Sequence, residues 1–94
     1  MAQSRLRAVV QGRVQGVGFR YFVMERAILL RLTGIVRNLR SGDVELVAEG
    51  ERGALEAMAA SLKSGPRMSH VENVVNIWLD ATGEFTSFRI ADTQ

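Results

Sequence analysis

The chain has 94 residues, 47% of them hydrophobic and 23% charged, which predicts one globular domain over residues 1–94 with a modest core. It has no cysteine and one histidine, which excludes disulfides, thiolate nucleophiles and Cys- or His-rich metal sites. Residues 1–40 carry eight arginines and one acidic residue, whereas residues 41–94 carry four basic and nine acidic residues. The basic first part of the chain suits an anionic partner. The same distribution of charge also arises in proteins that have no such partner.

The first third of the chain predicts a strand, a glycine-rich loop and a helix. Apolar and polar residues alternate over residues 6–10, which is the period of a half-buried strand. A loop follows at residues 12–18. Apolar residues at helical spacing then predict a helix over about residues 19–32, with Gly34 as its stop.

The middle of the chain predicts a hairpin followed by a second helix. Residues 35–40 and 44–49 form the two strands, joined by a Ser-Gly-Asp turn at residues 41–43. Gly65 and Pro66 predict the end of the helix. Its apolar face has the spacing i, i+3, i+4, i+7 and consists of Leu55, Met58, Ala59 and Leu62.

The last part predicts a fourth strand over residues 71–79 and a short final strand near Phe88 and Ile90. Val71, Val75, Ile77 and Leu79 are expected to share one face of the fourth strand. The order β-α-β-β-α-β, with a small extra strand, predicts a ferredoxin-like α+β sandwich. In it, two helices cover one face of an antiparallel sheet of four to five strands.

The stretch GRVQGVGFR, residues 12–20, carries the most functional information. Its glycines permit left-handed backbone conformations, and successive N–H groups in such a loop converge on an anion. The helix N-terminus adds donors, and Arg20 can grip two phosphate oxygens. The loop lacks the Lys-Ser/Thr of a Walker A motif and the third glycine of a dinucleotide fingerprint. The pattern fits a cradle for a small phosphorylated ligand, or a plain turn between strand and helix.

The motif VQGVGFR, residues 14–20, resembles the signature loop of the acylphosphatases. The segments GIVRNL at 34–39, VELVAEG at 44–50 and VENV at 71–74 resemble later parts of that family in the same order. The resemblance covers nearly the whole chain. It implies the fold given above and the hydrolysis of small acyl phosphates to a carboxylate and inorganic phosphate, without metal or cofactor.

The resemblance also implies which residues act. Arg20 and Asn38 are the catalytic residues, Asn38 by positioning the attacking water and Arg20 by holding the phosphate. Inorganic phosphate is expected both as product and as inhibitor. By the same resemblance, the phosphate is expected to bind the backbone amides of Gln15, Gly16, Val17, Gly18 and Phe19, and the side chain of Gln15 is a further candidate for substrate contact.

Three positions depart from the family pattern. Ile35 stands where many relatives have tryptophan, and Ser69-His70 stands where alanine and a basic residue are usual. Leu30-Arg31-Leu32 stands where a glycine is common before the leucine, so the end of the first helix is expected to differ. None of the three touches Arg20 or Asn38.

Two other functions compete with the enzyme. One is a regulatory domain that binds a phosphorylated metabolite without turnover. The other is a nucleic-acid-binding module, which the hairpin strands disfavour because they contain no aromatic residue for base stacking. The expected partner is therefore a small acyl phosphate rather than a nucleic acid, and the chain is expected to be a monomer.

The remaining expectations concern location and surface. No apolar run approaches the roughly 20 residues that span a bilayer, and the N-terminus does not resemble a signal peptide. A cytoplasmic protein without membrane contact is predicted. Arg13, Arg37 and Arg40 are interpreted as solvated surface residues, the alternatives being a positive potential near the loop for Arg13 and an influence on substrate entry for Arg37 and Arg40. His70 is interpreted as a surface or packing residue rather than a catalyst, and Phe22, Met58 and Trp78 as core or partly buried.

Overall fold

A computed structural model describes residues 2–94 and confirms the predicted order of elements. The elements are β1 (Gln3–Arg13), α1 (Phe19–Leu29), β2 (Thr33–Asn38), β3 (Val44–Glu51), α2 (Arg52–Ser64), β4 (His70–Asp80) and β5 (Phe88–Ile90).

The strands form one sheet in the order β4-β1-β3-β2-β5. The four longer strands pair antiparallel, as expected for the ferredoxin-like arrangement. The expectation of a purely antiparallel sheet needs one correction, because β5 pairs parallel with β2 and makes the sheet mixed. β4 lies at one edge of the sheet and is antiparallel to β2. After β4 the chain crosses to the opposite edge and reverses direction, so β5 is parallel to β2.

The core lies between the helices and one face of the sheet. Alternation along β1 and β3 directs every second side chain towards the helices, and burying each large apolar side chain stabilises the fold by about 1.5–3 kcal/mol. The largest fully buried side chains are Phe19, Leu6, Leu46, Leu55, Met58, Leu62, Val10, Val14, Val23, Val36 and Val44. The predicted apolar positions of both helices are therefore confirmed, and Phe22 and Trp78 pack partly buried against this core.

The first helix starts where predicted, but its predicted end and its predicted stop residue are both wrong. α1 ends at Leu29 rather than near residue 32, and the chain leaves the helix through Arg31, which has a left-handed φ of 58°. Gly34 is not the helix stop, since it lies inside β2. Its φ is 143°, and a side chain there would collide with the backbone of Val47, so glycine is required for close approach of β3.

The predicted face of β4 is correct for three of its four residues. Val75, Ile77 and Leu79 share the face that points away from the helices, where each is 41–47% exposed. Val71 packs instead against the core. The cause is a register shift between Gln11 and Gly12: Gln11 is opposite Asn73 and Gly12 is opposite Val71, so β4 has one extra residue there and its start turns to the other face.

Candidate active site

The topology brings the glycine-rich loop to the end of β2. β1 and β2 run in the same direction, because each pairs antiparallel with β3. Their C-terminal ends therefore lie at the same end of the sheet. Asn38 is opposite Val44 on β3, and Val44 is opposite Val10 on β1, just before the loop. The predicted loop and Asn38 are thus placed at one end of the molecule.

Glycines set the path of the loop. Gly16 and Gly18 have φ values of 71° and 80°, in the left-handed region that other residues rarely adopt. A Cβ atom at either position would meet no other atom within 4 Å, so it is the backbone conformation, not lack of space, that requires glycine. Gly18 is also the N-cap of α1, and it caps the helix without any side-chain hydrogen bond.

The loop and the first turn of α1 present a run of unused donors. Within residues 2–94, the backbone N–H groups of residues 15–21 have no hydrogen-bond acceptor, and the first bond of the helix runs from Phe22 N to Gly18 O at 3.0 Å. The first turn of α1 contains no acidic side chain. Such a run of N–H groups at a helix N-terminus favours a bound anion.

The two predicted catalytic side chains are also without partners. Arg20, in the first turn of α1, is half-buried and forms no hydrogen bond or ion pair with any residue the structure describes. The same is true of the half-buried side-chain amide of Asn38. Arg5, Arg7 and Arg37, by contrast, all pair with carboxylates. Arg20 and Asn38 therefore keep their hydrogen-bonding groups available for a ligand.

The backbone of Asn38 is held by the C-terminal segment. Gln94 N donates to Asn38 O at 3.1 Å, and Arg40 N donates to Gln94 O at 2.9 Å. Ala91 N also donates to Val36 O at 2.9 Å, so residues 91–94 continue alongside β2. This pairing has no signal in the sequence, because the mostly polar residues 91–94 show no alternating pattern typical of a strand.

The side chain of Gln15 bonds to the protein itself. Its Nε2 donates to Leu39 O at 2.7 Å and to Asp43 O at 2.8 Å, across the β2–β3 turn. Gln15 was predicted as a phosphate-binding residue through its backbone N–H, and that N–H stays unpaired. The role of its side chain had no signal in the sequence.

The predicted surface residues near the site divide into two groups. Arg13, Arg40 and His70 are exposed, as predicted. Arg37 is not merely solvated: its side chain lies on the other face of the sheet, and its Nε donates to Glu45 Oε1 at 2.7 Å. Arg37 and Glu45 are directly opposite in the hairpin. The predicted strand ends at residues 40 and 44 would place Leu39 opposite Glu45 instead, and this pairing is wrong because β2 ends at Asn38.

Residues 2–94 contain no group of three or more His, Asp or Glu side chains placed to hold a metal ion. None of the described helices is both long and apolar enough to cross a membrane.

The fold and the site together define a ferredoxin-like α+β protein with an anion-binding type of loop at one end of its sheet. Comparison with known proteins points to one family within this class of fold, because residues 6–90 match the acylphosphatase family. The chain is 48% identical over 88 residues to an acylphosphatase of Thermobifida fusca (strain YX), covering 94% of this chain and 97% of that protein. The chain belongs to the acylphosphatase family, a family of hydrolases, as the sequence resemblance implied.

Solved structures agree with the sequence match. The acylphosphatase from Bacillus subtilis superposes with a TM-score of 0.90 at 38% identity, covering 94% of this chain and 98% of that one. Full-length HypF in a phosphate- and nucleotide-bound form superposes with a TM-score of 0.86 at 32% identity. This second match covers 99% of this chain but 12% of HypF, so it concerns one part of a much larger protein.

Proposed function

We propose that the chain hydrolyses small acyl phosphates to a carboxylate and inorganic phosphate. The backbone amides of residues 15–19 and the guanidinium of Arg20 hold the phosphate, and Asn38 positions a water that attacks phosphorus directly. The observation that carries the proposal is the run of unpaired N–H groups over residues 15–21, in the same segment as an arginine without a partner. A phosphate supplies acceptors for both.

The loop suits the charge distribution of phosphoryl transfer. Negative charge on the equatorial phosphoryl oxygens is stabilised by donors that are already oriented before the reaction. The left-handed glycines fix the path of this backbone, and Arg20 adds a full positive charge. Little reorganisation is then needed when the bond to phosphorus breaks.

The leaving group explains why few other catalytic groups are needed. A carboxylate leaves readily, since its conjugate acid has a pKa of about 4, and a general acid is dispensable. The amide oxygen of Asn38 accepts a hydrogen bond from water and the amide nitrogen donates one, which together orient the nucleophile. A neutral amide does not take up the proton, so the proton of the water passes to an oxygen of the substrate.

Two alternatives define what the experiment must separate. The first is binding of a phosphorylated metabolite without turnover, to which the likeness to the phosphate- and nucleotide-bound HypF structure is relevant. The second is nucleic-acid binding, which is disfavoured because the central strands β1 and β3 contain no aromatic residue on which a base could stack.

Hydrolysis of benzoyl phosphate in chelator, combined with calorimetric binding of inorganic phosphate, tests the proposal. Asn38→Ala should lower kcat about 100-fold or more and leave the Kd of phosphate within about threefold, because the amide aligns water rather than phosphate. Arg20→Ala should weaken phosphate binding about 10- to 100-fold, since a charge-assisted hydrogen bond contributes about 1.5–3 kcal/mol.

Arg89→Ala is the matched control, because it removes an exposed arginine from β5. It should leave kcat and the Kd of phosphate unchanged.

Turnover in oxygen-18 water should place the label in phosphate and not in benzoate. Phosphate binding without hydrolysis would favour the binding domain, and full turnover by Asn38→Ala would refute the role of Asn38.

A further inference from the structure

We propose that the side chain of Gln15 is a positioning residue: it locks the anion-binding loop to the turn that follows Asn38 and so fixes where the attacking water sits relative to the phosphate. This inference rests on the proposed function. The observation behind it is the pair of hydrogen bonds from Gln15 Nε2 to Leu39 O, at 2.7 Å, and to Asp43 O, at 2.8 Å.

The two carbonyl groups are the ones that close the β2–β3 turn. Leu39 N donates to Asp43 O at 2.8 Å, and Gly42 N donates to Leu39 O at 3.0 Å. Each of these oxygens therefore accepts one bond from the turn and one from Gln15. Both hydrogens of the Gln15 amide are used, and both lone-pair positions of each carbonyl have a donor.

The contact joins two segments that no other hydrogen bond joins. Gln15 and Leu39 are 24 residues apart, and within residues 2–94 the loop at 14–18 makes no other hydrogen bond to the turn at 39–43. Asn38 directly precedes Leu39, and its backbone carbonyl accepts a hydrogen bond from Gln94 N on the side away from β3. The Gln15 amide is therefore the direct polar link between the phosphate cradle and the turn that begins right after Asn38, the residue assigned to the water.

The chemistry requires such a link. In-line attack depends on the position of the water relative to phosphorus, and these two reactants are held by different elements of the fold. The left-handed glycines hold the cradle in its own shape without the Gln15 side chain. Loss of the link should therefore disturb alignment, measured by kcat, more than the affinity for phosphate.

The experiment compares Gln15→Met with Gln11→Met. Methionine keeps the length of glutamine and removes both N–H donors. Gln11 lies four residues earlier, on β1, and its side chain accepts a hydrogen bond from Asn73 at 3.0 Å, so its substitution also removes a side-chain hydrogen bond. Gln15→Met should lower kcat for benzoyl phosphate about 10- to 100-fold and raise the Kd of phosphate less than about threefold. Gln11→Met should change neither.

A double-mutant cycle separates positioning from a general structural role. In the Asn38→Ala background, Gln15→Met should lower kcat by less than about twofold, because the group that it positions is absent. An equal loss in both backgrounds would overturn the proposal, as would a rise in the Kd of phosphate that matches the fall in kcat. An unchanged kcat in Gln15→Met would also overturn it.

Amide hydrogen exchange gives a readout that does not depend on turnover. In Gln15→Met, the amides of Leu39 and Gly42 should exchange at least about tenfold faster, while those of β1 and β4 remain protected. Unchanged exchange at the turn would refute the link. If wild type binds phosphate but does not hydrolyse benzoyl phosphate, the proposed function fails, and the alignment role of Gln15 fails with it. The hydrogen-exchange result then still decides whether the Gln15 side chain holds the loop to the β2–β3 turn. Should Gln15→Met fail to fold, Gln15→Leu repeats the comparison, because its side chain also lacks both donors and adds no charge beside the phosphate.

Discussion

Arg31 has a backbone conformation that its side chain does not favour. It follows the last turn of α1 with φ 58°, and it is the one non-glycine residue with positive φ in the described chain. Arg31 N donates to Ile28 O at 3.1 Å and Leu32 N donates to Ala27 O at 2.9 Å, so the conformation ends the helix as a left-handed cap. The left-handed region costs a residue with a Cβ about 1–2 kcal/mol. The family resemblance indicated this position, since a glycine is common before that leucine.

Arg31→Gly should therefore raise the free energy of unfolding by about 0.5–1 kcal/mol, since glycine relieves the strain but increases the entropy of the unfolded chain. Urea denaturation measures the change. Glu25→Gly is the control, because it places glycine at an exposed position inside α1 and should lower stability by about 1 kcal/mol. A loss of stability in Arg31→Gly would show that the arginine side chain contributes more than the strain costs.

Three strands of the sheet are joined by one buried carboxylate. Glu45, on β3, accepts a hydrogen bond from Arg7 of β1 and another from Arg37 of β2, both at 2.7 Å. The Glu45 side chain is only 6% exposed, whereas the two arginines are 39% and 25% exposed. Burial alone would raise the pKa of Glu45, but the hydrogen bonds from Arg37 and Arg7 outweigh it and lower the pKa. The carboxylate is thus ionised and paired on both sides.

Glu45→Gln should lower the free energy of unfolding by about 1–3 kcal/mol, because it removes the negative charge between two partly buried arginines. The control is Glu56→Gln, which breaks an exposed pair within α2, between Arg52 Nε and Glu56 Oε2 at 3.4 Å. That change should cost less than about 0.5 kcal/mol. Urea denaturation of both variants at neutral pH makes the comparison, and equal losses would contradict the special role of the buried carboxylate.

The difference between what the sequence predicts and what it misses follows from the range of the interactions. Local periodicity and glycine positions predict the order of elements, both helix faces and the loop that precedes Arg20. Periodicity places the end of α1 too late, because an arginine, Arg31, occupies the left-handed position where a glycine usually ends a helix. The Gln15 link and the pairing of Gln94 beside Asn38 join residues far apart in sequence, and their donors and acceptors are mostly backbone groups, which every residue has. Only the resemblance identified Asn38.

Across the molecule, the candidate site and a second carboxylate cluster lie at opposite ends of the sheet. Glu49, near the end of β3, is 3% exposed and holds the connection between β4 and β5. Its carboxylate accepts hydrogen bonds from Thr82 N at 2.8 Å, Gly83 N at 2.9 Å and Arg5 Nη1 at 3.1 Å. Burial acts to raise the pKa of Glu49, but hydrogen bonds from the amides of Thr82 and Gly83 and from the Thr82 hydroxyl, followed by the charge of Arg5, outweigh it and lower the pKa.

These two carboxylates should make the whole fold sensitive to acid. Because the pKa values of Glu45 and Glu49 are lower in the folded chain than the ordinary value of 4.5, the unfolded chain binds more protons at acidic pH. The stabilisation is fully present above the unfolded pKa and is lost as the pH falls through the folded values. Urea denaturation from pH 7 to pH 3 should show stability that is flat at first and decreases below about pH 4.5.

Glu49→Gln identifies the contribution of one group, since glutamine cannot titrate. The variant should be less stable than wild type at pH 7, because the negative charge is lost and the NH₂ group faces one of two N–H donors, that of Thr82 or that of Gly83. The difference in unfolding free energy between wild type and variant should then shrink as the pH falls, because only wild type has the Glu49 charge to lose, whereas the contribution of Glu45 is common to both proteins. A difference that stays constant down to pH 3 would mean that the Glu49 carboxylate is not what makes the fold acid-sensitive, and that the connection after β4 is held by its neutral contacts instead.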